Sequence, residues 1–474
     1  MIRYPLKAVL FLILLLIFSG LNAVRYIDNR LFFDIFLDDV KTIELISKGN
    51  IYIQSDKDSS YIECSNLLKI NYKKVNESFE IIIENDFDRF PDFRIDSVSY
   101  NSWQNGFFEI KKKAVKISQK GFISEEKASA FAKKHNIKKY KLKENSGNVL
   151  IKGKEYALPL MILSDSPIEF MGVRYNGLIR LIDSEHGSMK VINCIDMEEY
   201  IAGVIPYEIG LEAPYEALKA QAVAARSQTI YKILNNRHAS EGYDLCKTTH
   251  CQVYKGLTKQ NENTYRAAIE TSNEILIYQD KVVDAVFHSC CGGSTEDAKD
   301  AWGTNAPYLV HTDDYRSDQS DASENNPYCS QGGQYVAWYQ KAYEWTEKVS
   351  KQSLGEKLGI GTVTDIQIIK RGKSGRIHKM KVSGTNGSET LNKELQIRSL
   401  FNNAKSSSFT LKDNGSNYIL YGHGMGHGVG LCQIGAIVQA HIGYNYIDIL
   451  SFYYKDTMIS NQWILKEFIN ESEE

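Results

Sequence analysis

Glu208 closes the run Glu199-Tyr200-Ile201-Ala202-Gly203-Val204-Ile205-Pro206-Tyr207-Glu208, and its neighbours Ile205, Tyr207 and Ile209 are apolar or amphipathic. A wall of that kind disfavours the charged carboxylate and raises its pKa, as a general acid requires. The competing reading is an exposed loop glutamate. Pro206 lacks an N–H and biases Ile205 toward extended angles, while Pro214 and Glu216 suit the first turn of a new helix. The expectation is therefore two helices with Glu208 in the join. In the second, Glu216-Ala-Leu-Lys-Ala-Gln-Ala-Val-Ala-Ala-Arg226, small residues let other backbone approach closely, so the helix should be buried. Arg226 falls on the stripe of Lys219, Ala222, Val223 and Ile230, which directs it inward. A guanidinium there seeks an anionic group or a sugar hydroxyl, or else snorkels over apolar surface.

Three further constellations carry chemistry. His238, Cys246, His250 and Cys251 offer imidazole and thiolate ligands suited to tetrahedral zinc, and four protein ligands would leave no open position, making the ion structural. Their spacing is not that of a zinc finger, and a Cys246–Cys251 disulfide or unpaired thiols are the alternatives. The run from Phe287 to Asp297 (Phe-His-Ser-Cys-Cys-Gly-Gly-Ser-Thr-Glu-Asp), leading to Trp302-Gly303, reads as a strand and a glycine-kinked turn on which a ligand can rest. His288 and Ser289 are adjacent and so point to opposite faces of a strand, which weakens a serine or cysteine triad. Glycine then recurs at every second position from 422 to 430. Period two predicts a strand with one bare face and with His423, Met425, His427 and Val429 on the other. No Gly-Lys-Ser/Thr follows, which excludes a phosphate loop.

These residues need a scaffold, and 474 residues with 43% hydrophobic and 24% charged composition supply an ordinary globular one. A net charge of -2 provides no basic field for nucleic acid. Arg3 and Lys7 precede an apolar run from Ala8 to Phe18, which reads as an export signal or signal anchor over residues 1–24, with everything after Val24 outside the cell membrane. Residues 25–165 alternate apolar and polar in short runs such as Ile51-Tyr52-Ile53 and Phe79-Glu80-Ile81-Ile82-Ile83, predicting a β-rich region. Within it, residues 109–150 read as a β-α-β unit with a helix over Ser124–Lys134 and resemble, in composition, the SPOR glycan-binding module. From about residue 166 the pattern is mixed, with strands at Leu178–Ile182 and Met189–Asn193 among helices. The fold class expected is α+β, with a β-rich N-terminal region before a mixed main domain at 166–474. The eight cysteines (64, 194, 246, 251, 290, 291, 329, 432) are too sparse for a small-protein disulfide framework.

The ordered set of Tyr200 to Glu208, the Glu216 to Arg226 helix, the Cys246 to Tyr254 loop, His288 to Glu296 and Gly424 to Ala436 resembles the SpoIID/LytB family of sporulation and cell-wall proteins, over roughly residues 166–474. The resemblance implies a peptidoglycan lytic transglycosylase that cuts peptide-denuded glycan strands to 1,6-anhydro-N-acetylmuramic acid ends, with Glu208 catalytic. It implies a helix arginine at Arg226 and a zinc held by His238, Cys246, His250 and Cys251, although the first spacing differs slightly. Gln252, Ser289 and His427 join Arg226 as candidates for positioning sugar groups. This chain carries His423, Met425, Leu431, Cys432 and Ile434 where the family's glycine-rich motif commonly has Arg, Trp, Met, Ser and Trp. The lost aromatic stacking bears on sugar affinity. LytB-type relatives imply a different role, enhancement of a separate cell-wall amidase, and a glycan-binding scaffold is a third reading. Expected partners are glycan strands, such an amidase or sporulation cell-wall machinery, and the membrane through the N-terminal segment.

Overall fold

In a computed structural model, the chain is a mixed α+β protein rich in strands and divided among several sheets. The structure describes residues 25–462 apart from 28–29, 56–57, 65, 74–78, 85–93, 99–100, 105–106, 111–113, 123–140, 145–147, 185–186, 236 and 316–325. The export segment and the helix expected at Ser124–Lys134 lie outside the described residues. Among those described, no helix is long and apolar enough to cross a membrane.

Two compact units emerge, one of Met1–Val204 with Ile230–Gln260, the other of Ile205–Thr229 with Asn261–Trp463. In the first, an eight-stranded sheet runs in the order Arg25–Ile27, Arg30–Val40, Ser188–Asp196, Leu178–Ser184, Leu160–Ser164, Ile51–Ser55, Asp58–Cys64, with Leu245–Cys246 added in parallel to Arg30–Val40. Strands from either side of residue 166 thus share this sheet. Alternation explains the pairing: Leu31, Phe33, Ile35 and Leu37 point to one face of Arg30–Val40 and are buried. A six-stranded sheet holds Leu67–Lys73 and Thr42–Ser47 at its centre, and Phe79–Glu84 joins a four-stranded one.

The second unit contains two three-stranded sheets, Glu344–Ser350/Asn417–His423/Phe409–Asn414 and Val363–Arg371/Ile377–Gly384/Gly387–Asn392. Their inner residues, among them Val349, Met380, Val382 and Leu420, make one core with Phe401, which follows the Glu394–Leu400 helix. A third runs in the order Lys281–Val282/Ile275–Tyr278/Met458–Ser460, and Phe287–His288 with Leu431–Cys432 makes a short parallel pair.

Two helices matter most for the site. Helix α1 spans Met197–Glu208 and helix α2 spans Tyr215–Leu234. Contrary to the expected break, α1 continues through Pro206, and the amide of Ile209 still reaches the Ile205 carbonyl at 3.1 Å. Proline costs one intrahelical hydrogen bond only two residues from the helix end, while Ile201, Ile205 and Ile209 are almost wholly buried. Burial of that apolar stripe outweighs the lost bond.

The glycine-rich run also departs from the expected strand, which ends at His423. Gly424, Gly426, Gly428 and Gly430 have φ of 76°, 100°, 81° and 72°, in the left-handed region. A Cβ on Gly430 would collide with the Val286 carbonyl, and one on Gly428 with the Arg376 guanidinium. The bare backbone is what packs against the 286–291 segment. Gly430→Ala is expected to destabilise the protein by about 2 to 4 kcal/mol, from backbone strain and overpacking together. Urea unfolding followed by dichroism measures it, and an unchanged midpoint refutes this packing account.

Candidate functional site

Glu208 is the last residue of α1 and is half-buried, whereas Ile205 and Ile209 on either side are closed to solvent. The carboxyl group is thus carried on a rigid, packed element rather than a free loop. Tyr200 on the same helix donates its hydroxyl to Gln252 Oε1 at 3.0 Å, and the Tyr254 ring lies 5.0 Å from that of Tyr200. Tyr254 also donates to Asn193 Oδ1 at 3.0 Å. The loop after Cys246 therefore braces the start of α1 within the first unit. Gln252 is itself buried.

At the other end of α1, Asp196 Oδ1 accepts the amides of Glu198 and Glu199 at 3.1 and 3.2 Å, an N-cap. Burial first, and then the charge of Glu198, push its pKa up to about 6. A carboxyl whose folded pKa is raised binds more protons folded than unfolded between the two values. Stability should therefore fall as pH rises from about 4 to about 6, by on the order of 3 kcal/mol. Asp196→Asn keeps the cap and removes the titration, so it should flatten the stability profile across that window. An identical slope in the variant would contradict this.

Arg226 on α2 is 0% exposed. Its Nη1 donates to the Glu274 carbonyl at 3.0 Å, and its Nη2 to the Ala268 carbonyl at 3.0 Å and to Thr271 Oγ1 at 3.4 Å. The inward direction agrees with the stripe. These contacts, to two carbonyls and one hydroxyl, lie at and just beyond the C-terminal end of the Glu262–Glu270 helix. One turn earlier, Gln221 Oε1 accepts from Gln433 Nε2 at 3.2 Å, both fully buried. That bond ties the alanine-rich helix to Gln433–His441, and the sequence reading did not anticipate it.

Ser289 is half-buried, and its carbonyl accepts the Ile434 amide at 3.1 Å. His288 Nδ1 lies 3.0 Å from the Val429 carbonyl, which can only accept, so the ring proton sits on Nδ1. His427 stands 5.4 Å from the His288 ring and 5.0 Å from Trp302, and its Nδ1 accepts the Val429 amide at 3.1 Å. Desolvation first, and then the neighbouring His288 and Arg376 side chains, hold its pKa well below the ordinary histidine value. It is neutral at physiological pH. Glu208, Arg226, Ser289 and His427 belong to one unit and Gln252 to the other.

The four expected zinc ligands do converge. One ligand atom from each of His238, Cys246, His250 and Cys251 lies within 4.8 Å of all the others. Cys246 ends the added edge strand, and His250-Cys251 follows in the next turn. His238 Nε2 is 3.3 Å from Cys251 Sγ, and its Nδ1 is 2.7 Å from Glu241 Oε1, while Tyr243 donates its hydroxyl to Glu241 Oε2 at 2.6 Å. A carboxylate on the far nitrogen fixes the tautomer that turns a lone pair toward a metal. His250 Nδ1 is 3.6 and 3.7 Å from Cys246 and Cys251 Sγ. Burial opposes the Cys246 thiolate, but hydrogen bonds from Thr248 and Cys251 lower its pKa, whereas burial pushes Cys251 up to about 11. Neither cysteine is bridged. The donor set fits zinc, with one local cost: Arg237 lies 2.9 Å from His250 Nε2, and metal on Nδ1 would put the ring proton there. That contact must then open.

A second group escaped the sequence reading: Cys291, Asp314, Cys329 and Cys432, all buried, again with ligand atoms within 4.8 Å of one another. Nearby, Glu296 Oε2 is 3.0 Å from His378 Nε2 and accepts Ser374 Oγ at 2.7 Å. Burial works against ionisation of Glu296, but His378 and Ser374 outweigh it and lower its pKa.

Comparison with known proteins decides the family. The model for the stage II sporulation protein family matches residues 185–278, and a domain of unknown function matches 296–430. Stage II sporulation protein D of Bacillus subtilis is 31% identical over 280 residues, covering 56% of this chain and 75% of that protein. The chain belongs to the stage II sporulation protein D family. An uncharacterised protein of Brachyspira hyodysenteriae is 32% identical over 310 residues, 63% of this chain and 75% of that one. The amidase enhancer of Bacillus subtilis is 29% identical over 293 residues, and the match covers 55% of this chain but 40% of the enhancer.

Proposed function

We propose that this protein is a lytic transglycosylase of peptidoglycan, acting outside the cell membrane, with Glu208 as acid and then base. The observation that carries the reading is Glu208 itself: a half-buried glutamate at the end of a helix, with flanking isoleucines that are closed to solvent. In the first step Glu208 protonates the glycosidic oxygen as the bond to the anomeric carbon breaks. In the second, its carboxylate takes the proton of the C6 hydroxyl of N-acetylmuramic acid as that oxygen closes on the anomeric carbon. No water is consumed, and an intramolecular nucleophile removes the need for the second carboxylate of ordinary glycosidases.

Zinc held by His238, Cys246, His250 and Cys251 would supply a structural tie. The chain's own part is mechanical: the Cys246 to Tyr254 loop braces Tyr200, at the start of α1, through Gln252 and Tyr254. Ser289 and His427 remain our candidates for sugar contacts. Arg226, engaged by carbonyls, serves as a positioning residue for α2. Metal analysis should give zinc at His238–Cys251 that Cys246→Ser removes. Unchanged zinc in that variant would take Cys246 out of the ligand set.

The amidase-enhancer relative supports a second reading, in which the protein stimulates a separate cell-wall amidase. Incubation of purified glycan strands with the protein separates the two. Anhydromuramyl ends support the enzyme, whereas faster amidase action without such ends supports the enhancer.

A further inference from the structure

We propose that Cys291, Cys329, Cys432 and Asp314 form a second metal site, built for one tetrahedral cation of the zinc class. The four residues are 2%, 0%, 0% and 0% exposed, and their ligand atoms lie mutually within 4.8 Å. Cys291 and Cys329 bring their sulfurs to 3.4 Å, too far for a disulfide bond of about 2.05 Å and close to the separation of two thiolates on one zinc.

Two of the four ligands, Cys432 and Asp314, are oriented by donors suited to a negative charge. Cys432 Sγ accepts the amides of Cys291 at 3.2 Å and of Gly435 at 3.4 Å, the latter in the first turn of Gln433–His441. Asp314 Oδ2 accepts the Cys329 amide at 2.8 Å and Oδ1 the Tyr453 hydroxyl at 2.7 Å. Each oxygen keeps a lone pair, and hydrogen-bonded carboxylates of this kind are what metals select. The Arg376 guanidinium, 3.0 Å from the Cys291 carbonyl, offsets part of the remaining negative charge.

His288 points the same way independently. It is 4% exposed, it pairs in register with Cys432 on the parallel strand, and its Nδ1–H goes to Val429. Its Nε2 lone pair is left buried without a hydrogen-bond partner. A bare lone pair beside a cysteine cluster is costly unless a cation or donor faces it. Three thiolates and one carboxylate suit a borderline-soft, redox-inert ion, and four protein ligands make the site structural. It would fasten four separate pieces together: the turn after His288, the segment at Asp314, the Tyr328–Gln334 turn and the start of Gln433–His441. The turn after His288 includes Ser289.

The test is zinc content of the full chain, purified without chelators. About two equivalents are expected in the native protein, and about one in each of Cys432→Ser, Asp314→Asn and the pair Cys246→Ser/Cys251→Ser. Cobalt loaded into that last double variant should show thiolate charge-transfer bands and tetrahedral d–d bands, both lost on adding Cys432→Ser. Asp314→Asn is isosteric and keeps a group for Tyr453 and Cys329, and the native stoichiometry needs no variant at all, so a misfolded cysteine variant leaves the test intact. One equivalent in the native chain, zinc unchanged in Asp314→Asn, or a Cys291–Cys329 disulfide in the peptide map would each overturn the proposal.

Discussion

Glu208→Gln is expected to lower the rate of glycan-strand cleavage by on the order of a thousandfold or more, with the thermal midpoint unchanged. General acid and base steps are each worth about 10²–10⁴, and here one carboxyl performs both in turn. The amide cannot protonate the leaving oxygen and cannot accept the C6 hydroxyl proton. It is isosteric, and Glu208 is half-buried at a helix end, so the fold should tolerate it. Rates of anhydromuramyl-end formation measure the first claim and dichroism the second. Loss of activity with loss of structure would leave Glu208 as a packing residue, which its exposure argues against.

Arg226→Ala should destabilise the protein by about 3 to 5 kcal/mol. Truncation empties a fully buried site and removes the guanidinium donors that reach the carbonyls of Ala268 and Glu274 at 3.0 Å. Arg226→Lys should recover a minor part, because one ammonium cannot span carbonyls that the planar fork reaches at 3.0 Å each. Denaturant unfolding reads this directly. If Arg226 instead bound substrate, both variants would fold at wild-type stability and fail in KM.

Much of this was legible from spacing alone. The three- and four-residue stripe turned Arg226 inward, and period-two alternation marked strands such as Ile51–Ser55 and Leu178–Ser184. The carbonyls of Ala268 and Glu274 that Arg226 meets were not legible, since they are main chain 42 and 48 residues away with no side-chain signature. Proline's local rule predicted a break before Glu208, and the burial of Ile205 and Ile209 overrode it. Alternating glycines suited a strand equally well, because glycine adopts either sign of φ; the choice was made by the close approach of Val286 and Arg376. His238, Cys246, His250 and Cys251 sit near one another in sequence and could be grouped on sight. Cys291, Asp314, Cys329 and Cys432 could not, because only the parallel pairing of Phe287–His288 with Leu431–Cys432 brings the two ends of that cluster together.

The most direct test of the account is mass spectrometry of purified, peptide-free glycan strands after incubation with the full-length protein. The account predicts fragments ending in 1,6-anhydro-N-acetylmuramic acid, absent with Glu208→Gln. Intact strands, or fragments with ordinary reducing ends formed by water, would contradict it.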